Sequence, residues 1–116
     1  MPAPSALAIS TGAVQRLLKE EASYHKELAE QEQTVKNLEE KLKAGTADED
    51  GNEAFMLKQQ QTAIEQTKAV FGPLKQRITT AVEKLEDQLA AAEDAGAPDA
   101  EITQAKAMLV QAKAAV

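Results

Sequence analysis

The feature that most constrains this chain is an apolar pattern that alternates steps of three and four residues across most of its first half. From Val14 the steps fall on Leu17, Glu21, Tyr24, Leu28, Gln31, Val35, Leu38 and Leu42, all apolar except Glu21 and Gln31. A strand repeats every second residue and cannot keep such a series on one face, whereas a helix of roughly 3.6 residues per turn gathers it into one narrow stripe. Between Thr11 and Gly45 there is no proline to interrupt the helix. The pattern predicts a helix over residues 11–43, about 50 Å long, with a seam like that of a coiled coil. Ser10 or Thr11 is its candidate N-cap, and Lys41, Lys43 and Gly45 are its stop signals. The first ten residues, with Pro2 and Pro4, read as a loose lead-in.

A second stripe runs through Leu57, Gln60, Ile64, Thr67, Phe71, Leu74, Ile78, Val82, Leu85, Leu89 and Ala92. The step of four repeats between Ile78 and Val82, a stutter that relaxes supercoiling locally. Because the stripe continues past Gly72 and Pro73, the pair predicts a kink inside one helix over 52–94 and not a helix end. The acidic turn between Gly45 and Gly51 precedes it, and Asp50 with Glu53 resembles a capping box. After the Asp94–Pro98 turn, Ile102, Ala105, Leu109, Ala112 and Val116 repeat the spacing and predict a third helix over 99–115, with Asp99 as N-cap and Lys106 and Lys113 toward its far end.

With one Tyr, two Phe and no Trp, a β-rich core would lack its usual bulk, while Ala, Gln, Glu, Lys and Leu dominate and favour helix. The reading is therefore all-α: an elongated antiparallel three-helix bundle, coiled-coil-like, with a kinked second helix, forming a single domain over 1–116. The third helix is short enough to cover only the half made by the start of helix one and the end of helix two. The other half is expected to be a bare hairpin. There Leu38, Leu42, Phe55 and Leu57 either zip the two helices together or offer a contact surface to a partner or a second copy.

A net charge of −6 disfavours nucleic acid and anionic membranes as partners, and the absence of Cys fits a reducing compartment, with the cytoplasm as default. No stretch has the apolar length of a membrane span, and Met1 to Ser10 lacks the basic region of a signal peptide. Catalytic patterns are missing. His25 is the lone histidine, without a second His or a Cys to complete a metal site or nucleophile pair, and a solvated or structural place beside the seam is expected for it. Asp48, Asp50 and Asn52 suggest a calcium loop, but Gly51 stands at the fourth position and Gln59 at the twelfth. Carboxylate pairs such as Glu20 and Glu21 or Glu39 and Glu40 read as solvated helix faces. No enzyme, metal or cofactor is expected.

The order of residues carries more than their chemistry. Thr11-Gly12-Ala13-Val14-Gln15-Arg16-Leu17-Leu18-Lys19-Glu20, followed by Tyr24 and Lys26-Glu27, resembles the opening helix of the tubulin-binding cofactor A family. Pro73 with Gln76 and Arg77 resembles that family's interrupted second helix, and the long, long, short helix plan is similar. One departure is the approach Leu7-Ala8-Ile9-Ser10, where family members tend to carry Lys. The resemblance implies a cytoplasmic folding cofactor, associated with the microtubule cytoskeleton. Such a cofactor captures β-tubulin after its release from the chaperonin and, with the other tubulin-folding cofactors, passes it on toward the α/β heterodimer, working as a monomer or homodimer. A chain of net −6 meeting acidic tubulin needs local apolar and hydrogen-bonding contacts, and Arg16, Lys19, Lys26, Lys58, Gln59, Gln61 and Gln66 are the candidates, with Gly72 and Pro73 shaping the helix. The alternative is a coiled-coil scaffold unrelated to tubulin.

Overall fold

The computed structural model describes residues 3–45 and 51–115. Among them the chain forms α1 (Ala6–Lys43), α2 (Asn52–Asp94) and α3 (Asp99–Ala114), with no strand. The all-α reading holds, and α2 is unbroken through Pro73. The expected capping box at Asp50, the acidic residues of the calcium-like turn and Val116 lie outside the described residues.

Both N-caps differ from the expectation. α1 starts ahead of Ser10 and Thr11 because Ser5 caps it: the Ala8 N–H donates to Ser5 Oγ at 3.0 Å and the Ile9 N–H to the Ser5 carbonyl at 3.0 Å. Pro4 stands just before that cap, outside the helix, so its missing N–H costs nothing. Ser10 is buried inside α1, and Thr11 donates its hydroxyl back to the Leu7 carbonyl at 2.8 Å. At α3 the cap position is Pro98, with no side-chain hydrogen bond, and Asp99 is the first helical residue. Pro98 has the extended backbone that an N-cap needs, and Asp99 and Glu101 supply negative charge to the positive end of the helix. The α2 end is closed by Gly96 at φ 73°, where the Ala97 N–H reaches the Ala92 carbonyl at 3.0 Å and the Gly96 N–H the Glu93 carbonyl at 3.2 Å. This Schellman pairing satisfies carbonyls that the helix leaves open.

The helices divide between two compact units, Met1–Glu21 with Pro73–Val116, and Ala22–Gly72. In the first, all three helices meet. The segment around Leu7 lies near Ala92 while Glu20 pairs with Arg77, so α1 and α2 run antiparallel; Glu101 lies near Ala91 while Ala112 lies near Ile78, so α3 runs antiparallel to α2. Val14, Leu85 and Ala105 are fully buried at the centre of a cluster completed by Leu7, Leu89, Met108, Leu109 and Ala112. Ala105 and Ala112 keep α3 thin on its inner side, which lets it seat closely against two longer helices. Ser5 also donates its hydroxyl to Glu101, tying the cap of α1 to the first turn of α3.

The second unit is a two-helix hairpin. Its antiparallel register shows in Tyr24 and His25 against Phe71 and in Gln31 against Thr67. Thr67 donates to Gln31 Oε1 at 2.9 Å, and both residues occupy stripe positions. Two of the polar positions in the stripes, Gln31 and Thr67, thus satisfy each other inside the seam. Leu38 and Ile64 are buried, Leu42 and Leu57 half-buried, and Phe55 is exposed. The zipping role accordingly fits Leu38, and a surface role is left to Phe55.

The two exposed ion pairs of the first unit, Arg77 with Glu20 at 3.6 Å and Lys106 with Glu93 at 4.0 Å, add little against this burial. Removing three carbons from the fully buried Leu85 (Leu85→Ala) is expected to cost about 2–5 kcal/mol in urea unfolding. The exposed Ile9, changed to Ala, is expected to cost less than about 0.5 kcal/mol. Equal losses would contradict this placement of the core.

Candidate partner-binding surface

Among the described residues no three His, Cys, Asp or Glu side chains gather where they could hold a metal ion. His25 is exposed and stacks on Phe71, ring centres 4.5 Å apart and planes 28° from parallel, while Tyr24 meets the same ring edge-on at 6.4 Å. The histidine is a flat lid on a seam aromatic. No helix of the described residues is long and apolar enough to cross a membrane.

The hairpin unit carries a shallow groove along one face of α2, lined by Phe55, Lys58, Gln59, Thr62, Ala63 and Gln66. These residues recur at steps of three and four and therefore share a face, distinct from the seam stripe of Leu57, Gln60, Ile64 and Thr67. Phe55 keeps 60% of its surface exposed, and Met56 beside it in sequence is exposed too. The Thr62 hydroxyl donates to the Lys58 carbonyl at 3.1 Å, so it is satisfied within the helix. Lys58, Gln59 and Gln66 form no side-chain hydrogen bond or ion pair among the described residues. An aromatic ring flanked by free amide and ammonium donors can bury apolar area and hydrogen-bond a partner from the same face.

Of the sequence candidates, the structure brings Lys58, Gln59 and Gln66 onto this groove. Gln61 is exposed on α2 but outside it, and Lys26 is exposed on the α1 segment of the hairpin unit. Arg16 and Lys19 are exposed on α1 in the three-helix unit, where the Arg16 guanidinium lies back over Gly12: a Cβ there would meet Nη1 at 3.5 Å. Gly72 and Pro73 are exposed. Thr62 and Ala63 were missed because the sequence reading followed the seam. The signal was present as a second series, Phe55, Gln59, Thr62 and Gln66, stepping by four, three and four.

A long polar α1, a longer α2 carrying an internal proline and a short α3 are what the opening motif had suggested by resemblance. The family model for tubulin binding cofactor A matches residues 2–109 of this chain. The chain belongs to that family. Neither a search of curated proteins nor one of solved structures returns a match. The span matched to tubulin binding cofactor A includes all of α1 and α2, every candidate contact residue and α3 as far as Leu109.

Pro73 removes one backbone donor from α2, and its ring faces solvent, so the Ala69 carbonyl that loses its partner can be hydrated. Pro73→Ala is expected to raise unfolding stability by up to about 3 kcal/mol. Phe55→Ser, Lys58→Ala and Gln66→Ala are each expected to stay within about 0.5 kcal/mol of the parent, since their side chains are solvent-facing. Thermal and urea unfolding of the four variants checks both statements.

Proposed function

We propose that this protein captures β-tubulin after its release from the chaperonin, holds it, and passes it on toward assembly with α-tubulin in the cytoplasm. The observation that carries the reading is the family match over residues 2–109. The chemistry of the exposed surface supports a binding role: a helical protein of net −6 that presents one aromatic ring among uncharged amides is suited to a client that global charge would repel.

In this reading the groove formed by Phe55, Lys58, Gln59 and Gln66 is the principal contact, with Gln61 and Lys26 adding hydrogen bonds from the same unit. Arg16 and Lys19 offer local positive charge on the three-helix unit. Pro73, exposed on α2, is assigned a part in binding, so the extra stability of Pro73→Ala is accompanied by weaker binding. The working stoichiometry is one chain to one β-tubulin.

The test is a sizing column run on a chaperonin refolding reaction to which the purified chain is added. β-Tubulin is expected to elute in a one-to-one complex, and α-tubulin not to. Phe55→Ser together with Lys58→Glu, which leaves folding intact, is expected to weaken the complex by about tenfold or more, as loss of a central aromatic anchor does. Aggregated β-tubulin, or equal recovery of α-tubulin, would defeat the proposal. An unaffected complex with the double variant would move the contact away from this groove.

A further inference from the structure

A second feature stands apart from the α2 groove and concerns a residue that the seam has no packing reason to keep. Glu21 occupies a stripe position of α1 in the three-helix unit and is only 7% exposed. It has no hydrogen-bond or ion-pair partner among the described residues. Its stem is packed away while the carboxylate oxygens keep access to water, whereas an apolar side chain there would simply continue the stripe. The carboxylate is not sealed off, because it lines a small cleft whose walls are Leu18, Ile78 and Ala112 and whose rim is Lys75, Thr79 and Ala115.

The cleft is electrostatically one-sided. α3 ends beside it, and the last carbonyls of a helix carry partial negative charge, so Ala112 and Ala115 bring the negative end of α3 to the side of the Glu21 carboxylate. The one cationic group on the rim, Lys75, makes no ion pair with Glu21. A divalent metal does not fit this donor set. One carboxylate, with a Thr79 hydroxyl already donating to the Lys75 carbonyl at 3.0 Å, falls far short of the oxygen ligands such an ion requires. The apolar walls instead suit a run of methylene groups ending in a positive charge.

We propose that this cleft takes the end of a Lys or Arg side chain presented by a protein partner, with the stem against Leu18, Ile78 and Ala112 and the charged head on Glu21. The Glu21 carboxylate is then the specificity element of a contact point.

The probe is the peptide acetyl-Gly-Arg-Gly-amide, titrated into the full chain and followed by amide chemical shifts, with the norleucine peptide as neutral control. Saturable shifts centred on Leu18, Ile78 and Ala112 are expected with the arginine peptide and not with the control. Glu21→Gln is expected to weaken binding on the order of thirtyfold, as removal of one partner of a buried charge pair does. Glu21→Leu is expected to abolish binding while raising the thermal midpoint, which shows that the variant is folded. Lys75→Met is expected to tighten binding by removing the competing cation. The proposal is overturned if both peptides shift the same amides, if Glu21→Gln binds as the parent does, or if Lys75→Met lowers the midpoint as loss of an internal Glu21–Lys75 pair would.

Discussion

The fold depends on the burial of Val14, Leu85 and Ala105 against one another where α1, α2 and α3 meet. Two helices facing each other along a narrow stripe bury single positions such as Leu38 and Ile64, and a third helix converts the stripe into a closed core. Only the three-helix unit contains that third surface, and only there do Val14, Leu85 and Ala105 reach full burial. The caps are arranged around the same place. Ser5 both starts α1 and contacts Glu101, and the Gly96 turn sends the chain straight into α3 with Pro98 fixing the entry. Each methylene buried there contributes about 0.8 kcal/mol, comparable with a whole surface ion pair.

The hairpin unit is stabilised differently. Its seam mixes Leu38 and Ile64 with the Thr67 to Gln31 hydrogen bond and the stacked Phe71, Tyr24 and His25 rings. A polar pair inside a helical seam specifies register more than it adds stability, because either partner alone would be left unsatisfied by a one-residue slip. A unit held this way can present Phe55 and the amides of α2 without needing them for folding. The side chains on that face of α2 can thus be changed while the three-helix core stays fixed.

Most of the architecture was legible because helix periodicity survives in the order of residues. Every described stripe position of α1, α2 and α3 is buried or half-buried. What escaped were features that depend on three-dimensional partners. Pro2 and Pro4 made the first ten residues read as a lead-in, with Ser10 or Thr11 as the cap, yet Ser10 is a small buried residue of the kind a close helix contact accepts, and Leu7 one turn earlier is core. Met108 lay off the three-four series of α3 but faces the core because α3 is wedged between two helices and buries a broader arc. Asp99 looked like a cap by residue type, but the bond geometry of Pro98 put the helix boundary one residue sooner. For the surface, sequence supplied residue types and a family, whereas the grouping of Lys58, Gln59 and Gln66 with Phe55 needed the folded helix.

Three-helix burial anchors the protein, and the hairpin is a separately and more weakly held unit. Native-state amide hydrogen exchange in low denaturant tests it most directly, since exchange reports local opening residue by residue. Amides around Val14, Leu85 and Leu109 are expected to exchange only through global unfolding, while those from Leu28 to Leu38 and around Ile64 exchange through a smaller opening of lower free energy. Equal protection in both units, or stronger protection in the hairpin, would contradict it.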